Sequence, residues 1–169
     1  MVVHGAAGGV GHVLVQLARA RGVSIAAPAS LARHAFLREL GVEVLVDRHR
    51  PGALQEVRDA VGTDVPIVAD LVGSGRLAAS LDIMAEGGRA GFIVELAGNL
   101  EPAVDRNITL HGVLVRPGRS GLSRLAALAE AGTVRPVLDG VLGLREAARA
   151  HERVETGSGQ GKLVLTVPS

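Results

Sequence analysis

The chain has 169 residues, 47% of them hydrophobic, a formal net charge of +1 and no cysteine. This length and hydrophobic content predict one folded domain, and the absence of cysteine excludes disulfides, thiolate catalysis and cysteine-ligated zinc. Tyrosine and tryptophan are absent, so the aromatic platforms of nucleic-acid-binding proteins are nearly missing. No apolar run approaches a membrane span and no signal-peptide pattern is present. We therefore expect a soluble cytoplasmic protein that binds neither nucleic acid nor membrane.

The first predicted elements are a strand over residues 1–4, a glycine-rich turn and an amphipathic helix. Gly8 and Gly11 stand at the second and third glycine positions of the G-x-G-x-x-G dinucleotide fingerprint, and Ala6 stands at the first. Such glycines let the backbone approach a pyrophosphate, and the N–H groups of the following helix attract it. The alternative is a turn that binds nothing. The predicted cofactor-binding residues here are Ala7, Gly8, Gly9, Val10 and Gly11.

Strands and helices alternate through the rest of the first 136 residues. Alternation of this kind predicts an α/β fold, a doubly wound parallel sheet with helices on both faces. The further strands are predicted at 24–29, 43–47, 65–71, 90–96 and 108–115, and the helices at 31–40, 51–62, 74–86 and 120–131.

Residues 137–169 are predicted to form a C-terminal strand-helix-strand tail, separated from residues 1–136 by a weak boundary at 132–136. We expect this tail to pack on the first domain or on a partner chain. Its strands are predicted at 137–144 and 162–167 and its helix at 145–156.

The end of the second predicted strand indicates which dinucleotide would bind. NAD-binding domains usually carry an acidic residue about 20 positions beyond the fingerprint, but no Asp or Glu occurs between Gly11 and Glu39. Ser30 and Arg33 stand there instead, and a hydroxyl with a guanidinium suits a 2′-phosphate. NADP is therefore the predicted cofactor, unless Arg33 is an ordinary solvated surface charge.

Two carboxylates follow predicted strands, Asp70 after the fourth and Glu95 after the fifth. Ligands of open α/β sheets bind outside the carboxyl ends of the strands. We therefore place Val72 in the cofactor crevice and name both carboxylates as candidate general acids or bases. The alternative, which we favour, is that Asp70 caps the following turn and Glu95 pairs with an arginine. The scattered histidines show no metal-binding spacing, so no metal is expected.

Several segments together resemble the cofactor-binding region of the medium-chain dehydrogenase/reductase superfamily, in its quinone oxidoreductase-like and enoyl reductase-like members. The resemblance covers nearly the whole chain and implies a Rossmann domain that binds NADPH in reductases of quinones, enones or enoyl thioesters. It also places Arg48 where the family often has a tyrosine near the 2′-phosphate; the alternative is that Arg48, like Arg33, is an ordinary solvated surface charge. The segments are HGAAGGVGHVLVQLARARG, FLRELGVEVLVD, VADLVGSGRLAASLDIMAEGGR, and RPVLDGVLGLREAARAH with GKLVLTV.

The sequence also differs from that family's pattern. Family members carry a GroES-like substrate domain before this region, and the nicotinamide lies in the cleft between the two domains. We expect this protein to lack that domain. Polyketide-type enoyl reductases often have a lysine just after the fifth strand, whereas residues 91–96 contain none.

Three functional hypotheses follow. The first is an NADPH-dependent reductase domain acting on a small apolar carbonyl or polyketide-like substrate, with a separate GroES-like partner where the chemistry needs one. The second is a stand-alone domain that catalyses a non-redox cyclisation or isomerisation, with Asp70 or Glu95 carrying protons. The third is a non-catalytic remnant. The resemblance also implies a homodimer that pairs through the strand predicted at 108–115.

Overall fold

The computed structural model describes residues 1–116, 118–157 and 159–167 and contains one six-stranded sheet in the order β3-β2-β1-β4-β5-β6. Every neighbouring pair in this sheet is parallel. The order is that of doubly wound dinucleotide-binding folds and confirms the predicted fold class. The strands are β1 (Val2–His4), β2 (Ala26–Ala29), β3 (Val44–Asp47), β4 (Val65–Asp70), β5 (Met84–Phe92) and β6 (Thr109–Gly112).

Helices lie on both faces of the sheet. Val2 and Val3 are adjacent in β1 and both fully buried, but they point to opposite faces because strand side chains alternate. Val2 packs in one apolar cluster with Val57 and Leu77, and Val3 packs in the other with Val15. The helices are α1 (Gly11–Arg19), α2 (His34–Glu39), α3 (Ala53–Val61), α4 (Arg76–Ser80), α5 (Glu101–Asp105), α6 (Arg119–Glu130) and α7 (Ala147–Glu155).

The predicted boundary between the fourth helix and the fifth strand is wrong. The helix expected over 74–86 ends at Ser80 and continues only as a short 3₁₀ turn, and Met84 already begins β5. Pairing between β4 and β5 shifts register beside Gly87 and Gly88, so these glycines belong to an irregular strand rather than to a helix end. The strand expected at 90–96 ends at Phe92, which leaves Glu95 in the following loop.

Two smaller differences lie nearby. The short helix α5 was not predicted, because its five residues are too few to show helical periodicity. The strand expected at 108–115 is limited to β6, which ends at Gly112.

The tail forms the predicted strand-helix-strand unit. Its strands, β7 (Leu138–Gly143) and β8 (Lys162–Thr166), pair in parallel as a separate two-stranded sheet, and α7 connects them. Across the described ranges, no helix is both long enough and apolar enough to span a membrane.

Candidate functional site

The turn between β1 and α1 is closed by short backbone contacts that depend on glycine. The Gly8 N–H donates to the Gly5 carbonyl at 3.0 Å, and the His12 N–H donates to the Gly8 carbonyl at 3.1 Å. A Cβ added at Gly11 would collide with the Gly5 carbonyl oxygen and lie 2.7 Å from two backbone atoms of Ala6. Gly11 therefore sets how closely α1 approaches β1, the role that the fingerprint assigns to its third glycine.

The residues just before α1 present free hydrogen-bond donors. Within the described residues, the N–H groups of Gly9 and Val10 have no acceptor. They precede the first turn of α1, where helix N–H groups and the helix dipole attract anions. This arrangement fits a pyrophosphate at the position that the sequence indicates.

The tail also reaches this turn, which was not predicted. The Gly161 N–H donates to the Ala7 carbonyl at 2.9 Å. The next residue, Lys162, extends its side chain across Gly9, where an added Cβ would lie 2.6 Å from Nζ. Lys162 is the only lysine of the chain, and in the described part its ammonium has no hydrogen-bond or ion-pair partner. A cation thus lies beside the two free N–H groups.

The three residues predicted to recognise a 2′-phosphate come together at the carboxyl ends of β2 and β3. The Arg33 N–H donates to the Ser30 carbonyl at 2.8 Å, and the Arg48 N–H donates to the Ala29 carbonyl at 3.1 Å. The Arg48 Nε donates to Nε2 of His49 at 3.2 Å. The Arg33 guanidinium makes no ion pair or hydrogen bond among the described residues. The geometry fits a phosphate-binding role for Ser30, Arg33 and Arg48, which stays a prediction.

Asp70 lies at the centre of the sheet's carboxyl edge and is only 2% exposed. Its Oδ1 accepts the N–H groups of Val72 and Gly73, both at 2.9 Å, and its Oδ2 accepts the Leu77 N–H at 3.1 Å. These contacts are those of a carboxylate that organises the turn after β4, the alternative considered from the sequence. They disfavour a role for Asp70 as a general acid or base.

The turn that Asp70 organises brings Val72 to the glycine-rich turn. A Cβ added at Gly5 would lie 2.7 Å from Val72 Cγ2. Val72 is 40% exposed, so part of its side chain remains available to a ligand. Its predicted place in the crevice agrees with this position, although contact with a cofactor stays a prediction.

Glu95 lies at the same edge of the sheet but beyond β5. It is exposed, and no ion pair connects it to an arginine in the part of the chain that the structure describes. Its loop packs against the turn after β4, since a Cβ at Gly73 would lie 3.6 Å from the Glu95 carbonyl oxygen. Glu95 therefore keeps a solvent-accessible carboxylate near the crevice.

A buried histidine and serine lie beneath this edge. His4 Nε2 and Ser80 Oγ are 2.7 Å apart, and Ser80 Oγ donates to the Arg76 carbonyl at 2.9 Å, so His4 is the donor to Ser80. Burial lowers the pKa of His4 to about 4. The nearby Asp70 carboxylate opposes this lowering of the pKa, and the Arg76 guanidinium adds to it. Ser80 is fully buried, so this pair is a structural link between β1 and α4. Among the described residues no group of three His, Asp or Glu side chains could hold a metal ion.

The sheet order and the glycine-rich turn define a Rossmann-type domain. Residues 40–165 match the family model of the zinc-binding dehydrogenases, and the chain belongs to that family. It is a member of the medium-chain dehydrogenase/reductase superfamily, in its quinone oxidoreductase-like and enoyl reductase-like part, as the sequence indicated.

Three known proteins illustrate the similarity. The spectinabilin polyketide synthase system protein NorB of Streptomyces orinoci is 35% identical over 99% of this chain and 8% of its own length. The quinone oxidoreductase of Coxiella burnetii superposes with a TM-score of 0.88 at 33% identity, over 99% of this chain and 52% of that one. The CurF ER cyclopropanase of the curacin A pathway superposes with a TM-score of 0.84 at 25% identity, over 99% of this chain and 54% of that one.

The chain spans only part of these relatives. It covers 54% of the mouse quinone oxidoreductase, to which it is 27% identical, and a much smaller share of the polyketide synthase protein. The similarity therefore concerns the Rossmann-type domain.

Proposed function

We propose that this chain is the NADP(H)-binding part of a reductase that transfers a hydride to an enone, a quinone or an enoyl thioester. The observation that supports the proposal best is the pair of N–H groups at Gly9 and Val10, which have no acceptor among the described residues and precede α1 in a glycine-dependent turn. The similarity to quinone oxidoreductases and to polyketide synthase proteins agrees with it.

Each part of the dinucleotide would meet a separate group of residues. The N–H groups of Gly9 and Val10 would bind the pyrophosphate, with the Lys162 ammonium beside them offsetting its charge. Ser30, Arg33 and Arg48 would hold the 2′-phosphate, and Val72 would contact the cofactor on its way to the sheet's carboxyl edge. Bound NADPH supplies a hydride from its nicotinamide.

The substrate side of the site would be completed by a second domain, such as a GroES-like partner. This chain's own contribution near the substrate would be the exposed carboxylate of Glu95, placed to hold or move a proton at the crevice. We further propose that the chain forms a homodimer, because apolar side chains following the edge strand β6 are exposed, among them Leu114 at 78%.

The test is a titration with NADPH and NADH, read through cofactor fluorescence, in the wild type and in Arg33→Ala and Arg48→Ala. We expect the wild type to bind NADPH more tightly than NADH. Each substitution should lower the affinity for NADPH by about ten- to a hundredfold, because a charge-assisted bond is lost, and should leave the affinity for NADH unchanged. Arg124→Ala is the control: it removes the same charge from α6, beside the distal half of α1. Equal affinity of the wild type for both nucleotides would refute the choice of NADP.

A second candidate is a ring-forming or isomerising step without net reduction. Its ring-forming form is supported by the similarity to a protein described as an ER cyclopropanase, and the absence of lysine from residues 91–96 favours a step without net reduction. Monitoring NADPH absorbance while products accumulate separates the two candidates. A reductase consumes one NADPH for each product, whereas the second candidate forms product with no net consumption.

A further inference from the structure

The segment that leads into the tail is held by a side chain of α1. Gln16 Oε1 accepts the Arg135 N–H at 2.8 Å, and Gln16 Nε2 donates to the Arg135 carbonyl at 3.0 Å. One amide thus satisfies both backbone groups of one residue, as a neighbouring strand would. Nε2 also donates to the His12 carbonyl at 2.9 Å, which fixes the side chain along its own helix.

One turn earlier on α1, His12 connects the tail with the glycine-rich turn. It is 1% exposed. The Val137 N–H donates to Nε2 at 3.2 Å, so Nε2 carries no proton. Nδ1 must then be the protonated nitrogen, and it donates to the Gly8 carbonyl at 2.9 Å. Only the neutral Nδ1–H tautomer makes both bonds.

The tail returns to the same turn through β8. The Lys162 N–H donates to the Val137 carbonyl at 2.8 Å, and the neighbouring Gly161 N–H donates to the Ala7 carbonyl. A Cβ at Gly161 would collide with the Val137 carbonyl oxygen, so this approach requires glycine. Val137 therefore lies between His12 on one side and β8 on the other.

These contacts add to the bonds within the turn that set which way its peptide groups face. The Gly161 N–H holds the Ala7 carbonyl, and the His12 ring adds a second bond to the Gly8 carbonyl, which the His12 backbone N–H also holds. The next two N–H groups have no acceptor among the described residues. If either carbonyl rotated toward the position of a bound anion, its partial negative charge would repel that anion. The orientation that suits an anion is thus held partly from outside the Rossmann-type unit.

We infer that Gln16 and His12 are positioning residues through which nucleotide binding at the glycine-rich turn depends on the docked tail, an inference that rests on the proposed function. Neither side chain needs to touch the nucleotide. Their effect passes through Arg135, Val137 and Gly161 to the carbonyl groups of the turn.

The first test uses Gln16→Leu, which removes both bonds to Arg135 and changes no residue of the turn. NADPH and NADH should both bind about three- to tenfold more weakly, by the same factor, because the pyrophosphate is common to them. Arg19→Leu is the matched control on the same helix: it removes a 3.2 Å bond to the Gly41 carbonyl and leaves the tail untouched. Wild-type affinity in Gln16→Leu, or an equal loss in Arg19→Leu, would overturn the inference.

A second variant separates the two ends of the histidine bridge. In His12→Asn the amide nitrogen replaces Nδ1 and still reaches the Gly8 carbonyl, but no atom reaches Val137. We expect the same loss of affinity as in Gln16→Leu, and little further loss when the two changes are combined, because both release the same segment. If His12→Asn bound NADPH as tightly as the wild type, only the bond of the ring to the Gly8 carbonyl would matter for binding, and the bond to Val137 would not. Nitrogen NMR of the wild type should show His12 as the Nδ1–H tautomer, and an Nε2–H tautomer would also overturn the bridge.

Hydrogen exchange distinguishes failure of this inference from failure of the proposed function. The Gly161 amide should exchange faster in Gln16→Leu than in the wild type or Arg19→Leu, whether or not a nucleotide is added. If the wild type binds neither nucleotide, the proposed function fails and, with it, the role of the tail in binding. If the wild type binds a nucleotide but the Gly161 amide exchanges at the same rate in Gln16→Leu as in the wild type, the proposed function stands and only the dependence of binding on the tail fails.

Discussion

Substitution of Gly11 by alanine tests whether close packing of α1 on β1 depends on the third fingerprint glycine. The added methyl would meet the Gly5 carbonyl oxygen and two backbone atoms of Ala6. Backbone cannot move aside as a flexible side chain can, so α1 must shift. Overpacking of this kind costs about 1–3 kcal/mol, and we expect the upper end because three backbone atoms are involved.

A helix gains up to about 1 kcal/mol when alanine replaces glycine, so the net loss for Gly11→Ala should be about 2 kcal/mol. For a chain of this length that lowers Tm by roughly 4–8 °C. The same replacement at Gly121 in α6 is the matched control, because an added Cβ there meets no atom of the described residues within 4 Å outside the backbone of its own helix. Gly121→Ala should stabilise the protein by about 0.5–1 kcal/mol.

Unfolding should be followed by circular dichroism, since the chain has no tryptophan. Gly8→Ala is an intermediate case: its Cβ would lie 3.3 Å from the Gly5 carbonyl oxygen, so a shift of a few tenths of an ångström suffices. The expected order of stability is therefore Gly121→Ala, wild type, Gly8→Ala, Gly11→Ala. A Gly11→Ala variant as stable as the wild type, with unchanged affinity for NADPH, would refute the reasoning.

Three further predictions concern the buried edge of the sheet and the assembly. Because burial lowers the pKa of His4 to about 4, the unfolded chain takes up a proton that the folded chain does not as the pH falls below about 6.5. The unfolding free energy of the wild type should fall by about 2 kcal/mol more than that of His4→Gln when the pH is lowered from about 7.5 to about 5. Parallel profiles of unfolding free energy against pH for the two proteins would contradict this. Asp70→Asn should destabilise the fold by about 1.5–3 kcal/mol, as measured by urea unfolding, because an amide N–H would face the Leu77 N–H; unchanged stability would argue against the capping role. Light scattering at micromolar concentration should give a dimer mass for the wild type and a monomer mass for Leu114→Glu, and a monomeric wild type would exclude the dimer.

Local patterns of sequence were enough to predict most of the architecture. The glycine-rich turn after the first strand follows from residues adjacent in the chain, and alternation of apolar segments with helical periodicity predicted the parallel sheet. Where these signals are weak the prediction was wrong. Gly87 and Gly88 have the composition of a helix end, but β5 contains them because pairing with β4 tolerates an irregularity there.

Contacts between distant residues were decided only by the tertiary structure. The bond between His12 and Val137 joins residues 125 positions apart, and the lysine beside Gly9 comes from the last described strand. His4 also gave no sign of its buried partner Ser80, 76 positions further along the chain. Periodicity and turn chemistry report the conformation of neighbouring residues, whereas such contacts depend on how whole elements pack. The sequence by itself therefore determined the fold class and the place of the glycine-rich turn, while packing of the tail decided which groups surround it.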